Sequence, residues 1–307
     1  MTAHLTIVRD EAARMRDGVV LRANIYHPTA PGRWPTLLAR TPYGKDLPGA
    51  SAWLDPVRAA AAGFMVVIQD TRGRFASDGV WEPFMHEAAD GFDTVEWAAR
   101  LPGSSGRVGM FGLSYWGSTQ WLAAIAQPPS LGAIAPAMTW SDPGDGALAR
   151  GGAMELGLEL IWALEQGIDD ARRRGEPVQE LIDELDHLMQ TGFWELPAGA
   201  PALRHGVVDL GGIRAGPAVA DAARVVGHHD RVRVPVLSIG GWYDCFAQGV
   251  LDNHCAVAPR RGRLIVGPWT HSNFTEGIGG LTFGLRARRD DVTTLQLDWF
   301  HAQLTGA

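Results

Sequence analysis

The chain has 307 residues, 46% hydrophobic and 20% charged, with a formal net charge of −7. This is ordinary globular composition, long enough for one large domain with an insertion or for two smaller ones. It excludes a basic stripe for nucleic acid or an anionic membrane surface, and no apolar run reaches the roughly 18–20 residues of a membrane span.

Residues 5–8 and 19–26 are extended runs around "EAARMRDG" and predict an antiparallel hairpin. "WPTLLART" and "GFMVVIQDTRG" are continuous apolar runs of the kind found in central strands covered on both faces. Between them "ASAWLDPVRAAAAG" reads as a helix stopped at Gly63. A helix over about 86–99, a strand at "RVGMFG", a helix over 117–126 and a strand at "LGAIAPAM" follow. Past Trp140 a long helical stretch rich in Leu, Glu and Arg gives way to short Pro/Gly-punctuated pieces over 192–226. Strand signals return at "VRVPVLSIGGWYD" and "GRLIVGPWTH", and the chain closes on a helix from about 290. Alternating strands and helices imply parallel pairing with right-handed crossovers. An opening hairpin, about eight strands and a helical excursion after the sixth describe an α/β sheet with a cap.

Ligands on such sheets bind beyond the carboxyl ends of the strands. Those positions hold Arg40-Thr41-Pro42-Tyr43, Asp70-Thr71-Arg72-Gly73, Ser114-Tyr115, Asp142, Asp244 and His271. A nucleophile, an acid and a base thus occur in the order Ser114, Asp244, His271, the order of the α/β-hydrolase fold. A serine hydroxyl needs a base within reach, an imidazole can be that base, and a carboxylate can hold the imidazole's tautomer. Two features oppose this reading. A serine before a helix is commonly an N-cap, and the generic G-x-S-x-G elbow fails because position 116 is Trp116 and the glycine falls at 117. Asp142 rivals Asp244 as the acid. His228 and His229 are read as solvent-facing, His254 as structural, and Cys245 and Cys255 as small core residues rather than a disulfide framework. With two cysteines and no basic-plus-apolar leader, a cytoplasmic location is the expectation.

No cofactor and no metal is expected. There is no Gly-rich phosphate loop, dinucleotide fingerprint, H-E-x-x-H or paired-cysteine motif, and His228-His229-Asp230 is too crowded.

Several stretches together resemble the cocaine esterase-like (CocE/NonD) hydrolases, related to the Xaa-Pro dipeptidyl-peptidases and α-amino-acid ester hydrolases. They are "RTPYGK", "VVIQDTRGRFASDG", "EAADGFDTVEWAA", "GRVGMFGLSYWGSTQWLAA", "AIAPAM", "GGWYDCF" and "GPWTH". That family's turn is G-x-S-Y-x-G, which this chain satisfies. The resemblance implies an α/β-hydrolase fold, with the core at 1–142 and 231–307 and a helical cap at 143–230. It implies Ser114, Asp244 and His271 as the triad, with the Tyr115 N–H and the Tyr43 hydroxyl as the oxyanion hole. Asp70, Arg72 and Arg74 look like the family's buried polar framework.

The usual C-terminal jelly-roll domain is not matched, so a homo-oligomer or a separate partner covering that face is the expectation. Trp116, Trp140, Trp162, Phe246 and Trp269 lie near strand ends or in the cap and read as an apolar pocket for a small-molecule ester or amide. Glu155 and Glu159 read first as helical surface charge. A serine esterase is the leading reading. An acyltransferase or amide-forming enzyme would use the same residues, and a non-catalytic or split-enzyme subunit stands third.

Overall fold

The computed structural model describes residues 5–197, 204–205, 217–257, 262–271, 273–288 and 292–306. Two central strands set the architecture, β3 (Trp34–Thr41) and β4 (Met65–Asp70), whose apolar runs are buried almost throughout. They lie inside an eight-stranded sheet with β1 (Leu5–Arg14), β2 (Val20–Pro28), β5 (Ser104–Leu113), β6 (Leu131–Ala137), β7 (Val236–Gly241) and β8 (Gly262–Gly267). The strand order is β1-β2-β4-β3-β5-β6-β7-β8. Only β1–β2 and β2–β4 pair antiparallel; β4–β3, β3–β5, β5–β6, β6–β7 and β7–β8 are parallel. Parallel neighbours require crossovers, supplied by helices that include α3 (Glu87–Ala99) and α4 (Tyr115–Ala126). Leu38, Val67, Met110, Trp121, Ile134 and Val236 belong to one buried cluster. This is the mostly parallel α/β sheet expected from the strand and helix alternation.

Three local expectations change. The first half of the charged run "EAARMRDG" is strand: after an irregularity between Val8 and Glu11, β1 pairs again with β2 through Arg14. Ala13 and nearby Met15 pack with Leu21, Val19 and Trp97, so exposed Arg14 between them conceals an inward-facing side. The helix expected across 50–63 is two short helices, α1 (Gly49–Ala52) and α2 (Pro56–Ala61). Pro56 cannot continue a helix but suits the first turn of a new one, which Asp55 caps by accepting from Val57 and Arg58. Finally, β5 runs to Leu113 and α4 begins at Tyr115, so Ser114 stands alone between strand and helix.

The chain forms two compact units, Met1–Ser141 with Val225–Ala307, and Asp142–Arg224. The first holds the sheet, α8 (Ala247–Ala256) and α9 (Val292–Leu304); α7 (Pro217–Ala222) belongs to the second. In the second unit α5 (Leu156–Arg174) and α6 (Gln179–Gln190) bury Leu160, Leu164 and Ile168 with Leu181 and Leu188, the spacing of an amphipathic helix pair. Much of the stretch expected to be Pro/Gly-punctuated lies outside the described residues. Among the described residues no helix is long and apolar enough to cross a membrane.

Candidate active site

Ser114 has φ 60° and ψ −125°, a conformation that L-residues avoid at a cost of about 1–3 kcal/mol. The surroundings impose it. Its N–H donates to the carbonyls of Ala137 (2.9 Å) and Met138 (3.2 Å), and its carbonyl accepts the first helical bond, from Ser118 at 3.0 Å. The side chain makes no capping hydrogen bond, and among the described residues the half-buried Oγ has no partner. The N-cap reading therefore fails: the strained turn presents a hydroxyl that the helix does not use.

The glycine at 117 has a spatial reason. A Cβ there would lie 2.8 Å from Thr139 Cβ and 2.9 Å from the Ala137 carbonyl oxygen. Only glycine lets the first turn of α4 press against the end of β6, and that contact fixes the height of Ser114.

Tyr115 turns its phenol into the core, where it donates to Glu87 Oε1 at 2.9 Å and accepts from the Phe84 N–H at 3.0 Å. Burial, and then the adjacent Glu87 carboxylate, push this phenol well above its ordinary value of 10.0, so it stays a protonated donor. Glu87 Oε2 in turn accepts from buried Arg40 at 2.6 Å, and Arg40 Nε donates to Gln69 Oε1 at 3.0 Å. The network anchors the residue next to Ser114 from below and leaves the Tyr115 N–H at the helix start without an intrahelical acceptor. Glu87→Ala strands buried Arg40 and the phenol together; a loss of about 3–5 kcal/mol is expected, read as a lower urea midpoint. Sequence reasoning missed this role. The available signal was a lone arginine within an apolar strand, which requires a buried partner.

Half-buried Tyr43 follows β3. Its N–H donates to Thr41 Oγ1 at 3.0 Å, and its ring centroid lies 6.3 Å from that of Tyr115 and 6.4 Å from that of Trp116. Buried charges hold this loop. Arg74 Nε donates to the Pro42 carbonyl (2.8 Å), while Asp70 accepts from the N–H groups of Lys45 (2.6 Å) and Ala76 (3.2 Å). Arg72 forms a two-point pair with Asp90 at 2.9 and 2.6 Å.

Beyond β7 and β8 the structure joins Asp244 to His271, Oδ2 to Nδ1 at 2.6 Å. The carboxylate only accepts, so Nδ1 carries the proton and Nε2 is the free lone pair. Asp244 Oδ1 accepts from the Phe246 N–H at 2.7 Å, which fixes the carboxylate's plane, and the Asp244 side chain is fully buried. The two loops are laced together by Trp242 N–H to the Gly267 carbonyl (2.9 Å) and Tyr243 N–H to the Trp269 carbonyl (3.0 Å). Gly241 permits this lacing, since a Cβ there would sit 2.3 Å from the Trp269 oxygen. Asp142, the rival acid, accepts from the Gly144 N–H (2.9 Å) and pairs with Arg224 (2.6 Å) in the second unit.

A series of rings runs from this pair to the serine turn. The Phe246 centroid lies 5.3 Å from His271 and 5.2 Å from Trp140; Trp140 lies 5.2 Å from Phe84, which stacks on Tyr115 at 4.2 Å. Trp116, Trp140 and Phe246 are buried within or beside this series. Trp269 stands apart, its Nε1 donating to the Ala287 carbonyl at 2.7 Å and its ring 5.2 Å from Phe274. Trp162 lies in α5 of the second unit.

Other readings are corrected. Cys245 and Cys255 are exposed rather than core residues, because each sits on a turn or helix position that faces solvent. His229 is partly buried; it bonds Asn253 at 2.8 Å, whose amide donates to the Trp140 carbonyl at 2.9 Å. Glu159 is buried, not surface charge.

A serine on a strained strand-to-helix turn, with an Asp–His pair at the ends of two later strands of a mostly parallel sheet, defines the α/β-hydrolase fold. Within that class, the profile of the X-Pro dipeptidyl-peptidase (S15 family) matches residues 17–273, and the chain belongs to this family. It is 36% identical over 321 residues to cocaine esterase of Rhodococcus sp. (strain MB1 Bresler), a match covering 95% of this chain and 54% of that protein. Among solved structures it is similar in fold to an aminopeptidase from the marine sediment archaeon Thaumarchaeota archaeon (TM-score 0.73, 23% identity, 99% of this chain and 55% of that one). It is also similar to a CocE/NonD family hydrolase from Staphylococcus aureus (TM-score 0.71, 21% identity, 99% and 51%). The chain spans about half the length of these relatives.

Proposed function

We propose that the protein is a serine hydrolase that cleaves a carboxylic ester, or a related activated amide, through an acyl-enzyme. The observation that carries this reading is the buried Asp244 carboxylate on His271 Nδ1, which leaves Nε2 as a base for the uncapped hydroxyl of Ser114. Binding of substrate brings Oγ and Nε2 into a hydrogen bond, as catalytic contacts commonly tighten only in the complex. Oγ attacks the ester carbon while Nε2 takes its proton, and Asp244 stabilises the imidazolium. The carbonyl oxygen, now an anion, receives the Tyr115 N–H and the Tyr43 hydroxyl. Collapse expels the alcohol with the proton from Nε2, and a water repeats the sequence to release the acid. Trp116, Trp140 and Phe246 form the apolar wall for the acyl group.

Short-chain p-nitrophenyl esters test the reading directly: a burst of p-nitrophenol stoichiometric with protein, followed by steady turnover, is expected. No turnover on any acyl length would overturn it. Tyr43→Phe removes one oxyanion donor and is expected to lower kcat by about 10²–10³-fold with little change in KM, measured on the same esters.

A further inference from the structure

Next to the acid lies a residue that the hydrolytic scheme leaves unused. Cys245 is exposed, and its Sγ, a carboxylate oxygen of Asp244 and a ring nitrogen of His271 all lie within 4.8 Å of one another. A thiolate, an imidazole and a carboxylate are the donors that select zinc and its soft neighbours over magnesium or calcium. Two of the three are already oriented: Asp244 by the Phe246 N–H, and His271 by Asp244 and by the edge-on Phe246 ring. Zinc bonds of about 2.3 Å to sulfur and 2.0–2.1 Å to nitrogen place such donors roughly 3.6 Å apart. To reach that spacing the thiol closes on the pair and the 2.6 Å Asp244–His271 contact opens. The His271 side chain is 32% exposed, so the cluster is open to solvent on that side.

We propose that Cys245, Asp244 and His271 form a binding site for a thiophilic divalent cation, Zn²⁺ foremost, whose occupancy switches the hydrolase off. On binding, the S–H bond breaks and its proton passes to the buffer, while the ring gives up its Nδ1 proton and takes one up on Nε2, so the imidazole stays neutral. Zn–S, Zn–N and Zn–O bonds form, and no electron moves. The thiolate and carboxylate together neutralise the ion's charge. Zinc thereby replaces the proton shared by His271 and Asp244, and the imidazole loses the tautomer and mobility that base catalysis requires. The site itself rests on the cluster alone, whereas its inhibitory effect rests on the hydrolase reading above.

The test uses the full chain without substrate, titrated first with Co²⁺ and then with Zn²⁺. One Co²⁺ per chain is expected to bring up a near-ultraviolet thiolate-to-cobalt band, which Zn²⁺ then displaces. Cys245→Ser, checked for unchanged circular dichroism, is expected to lose that band. In ester assays Zn²⁺ should inhibit the wild type with the same half-saturation as the optical titration, reversibly by chelator. Cys245→Ser should keep the basal rate and resist the metal. No band in the wild type, or a band that survives in Cys245→Ser, overturns the site. Binding without inhibition of an active enzyme overturns the switch. The optical titration decides the site even if the protein cleaves no ester, so the two failures are distinguishable.

Discussion

Ser114→Ala is expected to abolish labelling by a fluorophosphonate and to lower ester turnover by at least about 10⁴-fold, with the fold retained. The size follows from what the residue supplies. Without Oγ there is no acyl-enzyme, and only the oxyanion donors and the binding surface remain to accelerate direct attack by water. The fold tolerates the change because the Ser114 side chain makes no hydrogen bond to any described residue, and the strained backbone is held by Ala137 and Met138 through the main chain alone. Alanine is strained at φ 60° much as serine is, so the difference in stability should stay small. Equal labelling of wild type and variant would place the nucleophile elsewhere.

Asp244→Asn carries the second large effect, a fall in kcat of about 10⁴-fold. Oδ1 is fixed by the Phe246 N–H, so the new amide nitrogen must face His271 Nδ1. Two donors then confront each other, and the ring moves its proton to Nε2, where a base must have none. Asp142→Asn provides the contrast. Its carboxylate serves a turn and Arg224, so its loss should alter kcat only slightly. If Asp142→Asn were severe and Asp244→Asn mild on the same ester, the acid would be misassigned.

Much of this site was legible in the sequence because the chemistry sits at strand ends, and strand ends are where apolar runs stop. β5, β7 and β8 are short apolar segments followed by Ser114, Asp244 and His271, and their order along the chain matches their order across the sheet. The displaced glycine was legible as a motif but not as a cause: its reason is the Thr139 side chain and the Ala137 carbonyl, contacts that exist only once α4 lies on β6. What periodicity concealed were pairs far apart in sequence. Arg40 and Glu87 are 47 residues apart; the arginine in its apolar strand calls for a buried partner without naming it, and Glu87 taken alone reads as an ordinary charge. The inward side of β1 at Ala13 was hidden by the charges around it. What separates Asp142 from Asp244 is likewise the partner each meets, Arg224 for one and His271 for the other, and not position in a pattern.

The sheet order has a consequence in time. Ser114 rides on a strand flanked by β3 and β6, whereas His271 follows β8, the outermost strand, whose residues are mostly half-buried. On a chain growing from its N-terminus, the serine turn and β6 are complete before the Asp142–Arg224 unit and the last strands have been made. On the proposed mechanism an unfinished chain thus carries a strained serine without its base, and its hydroxyl is as inert as any other. The same order holds in reverse under stress. Outer strands open at less cost than the centre of a sheet, so the proposed base departs first. On that mechanism reactivity is confined to the finished molecule, the last property gained and the first surrendered.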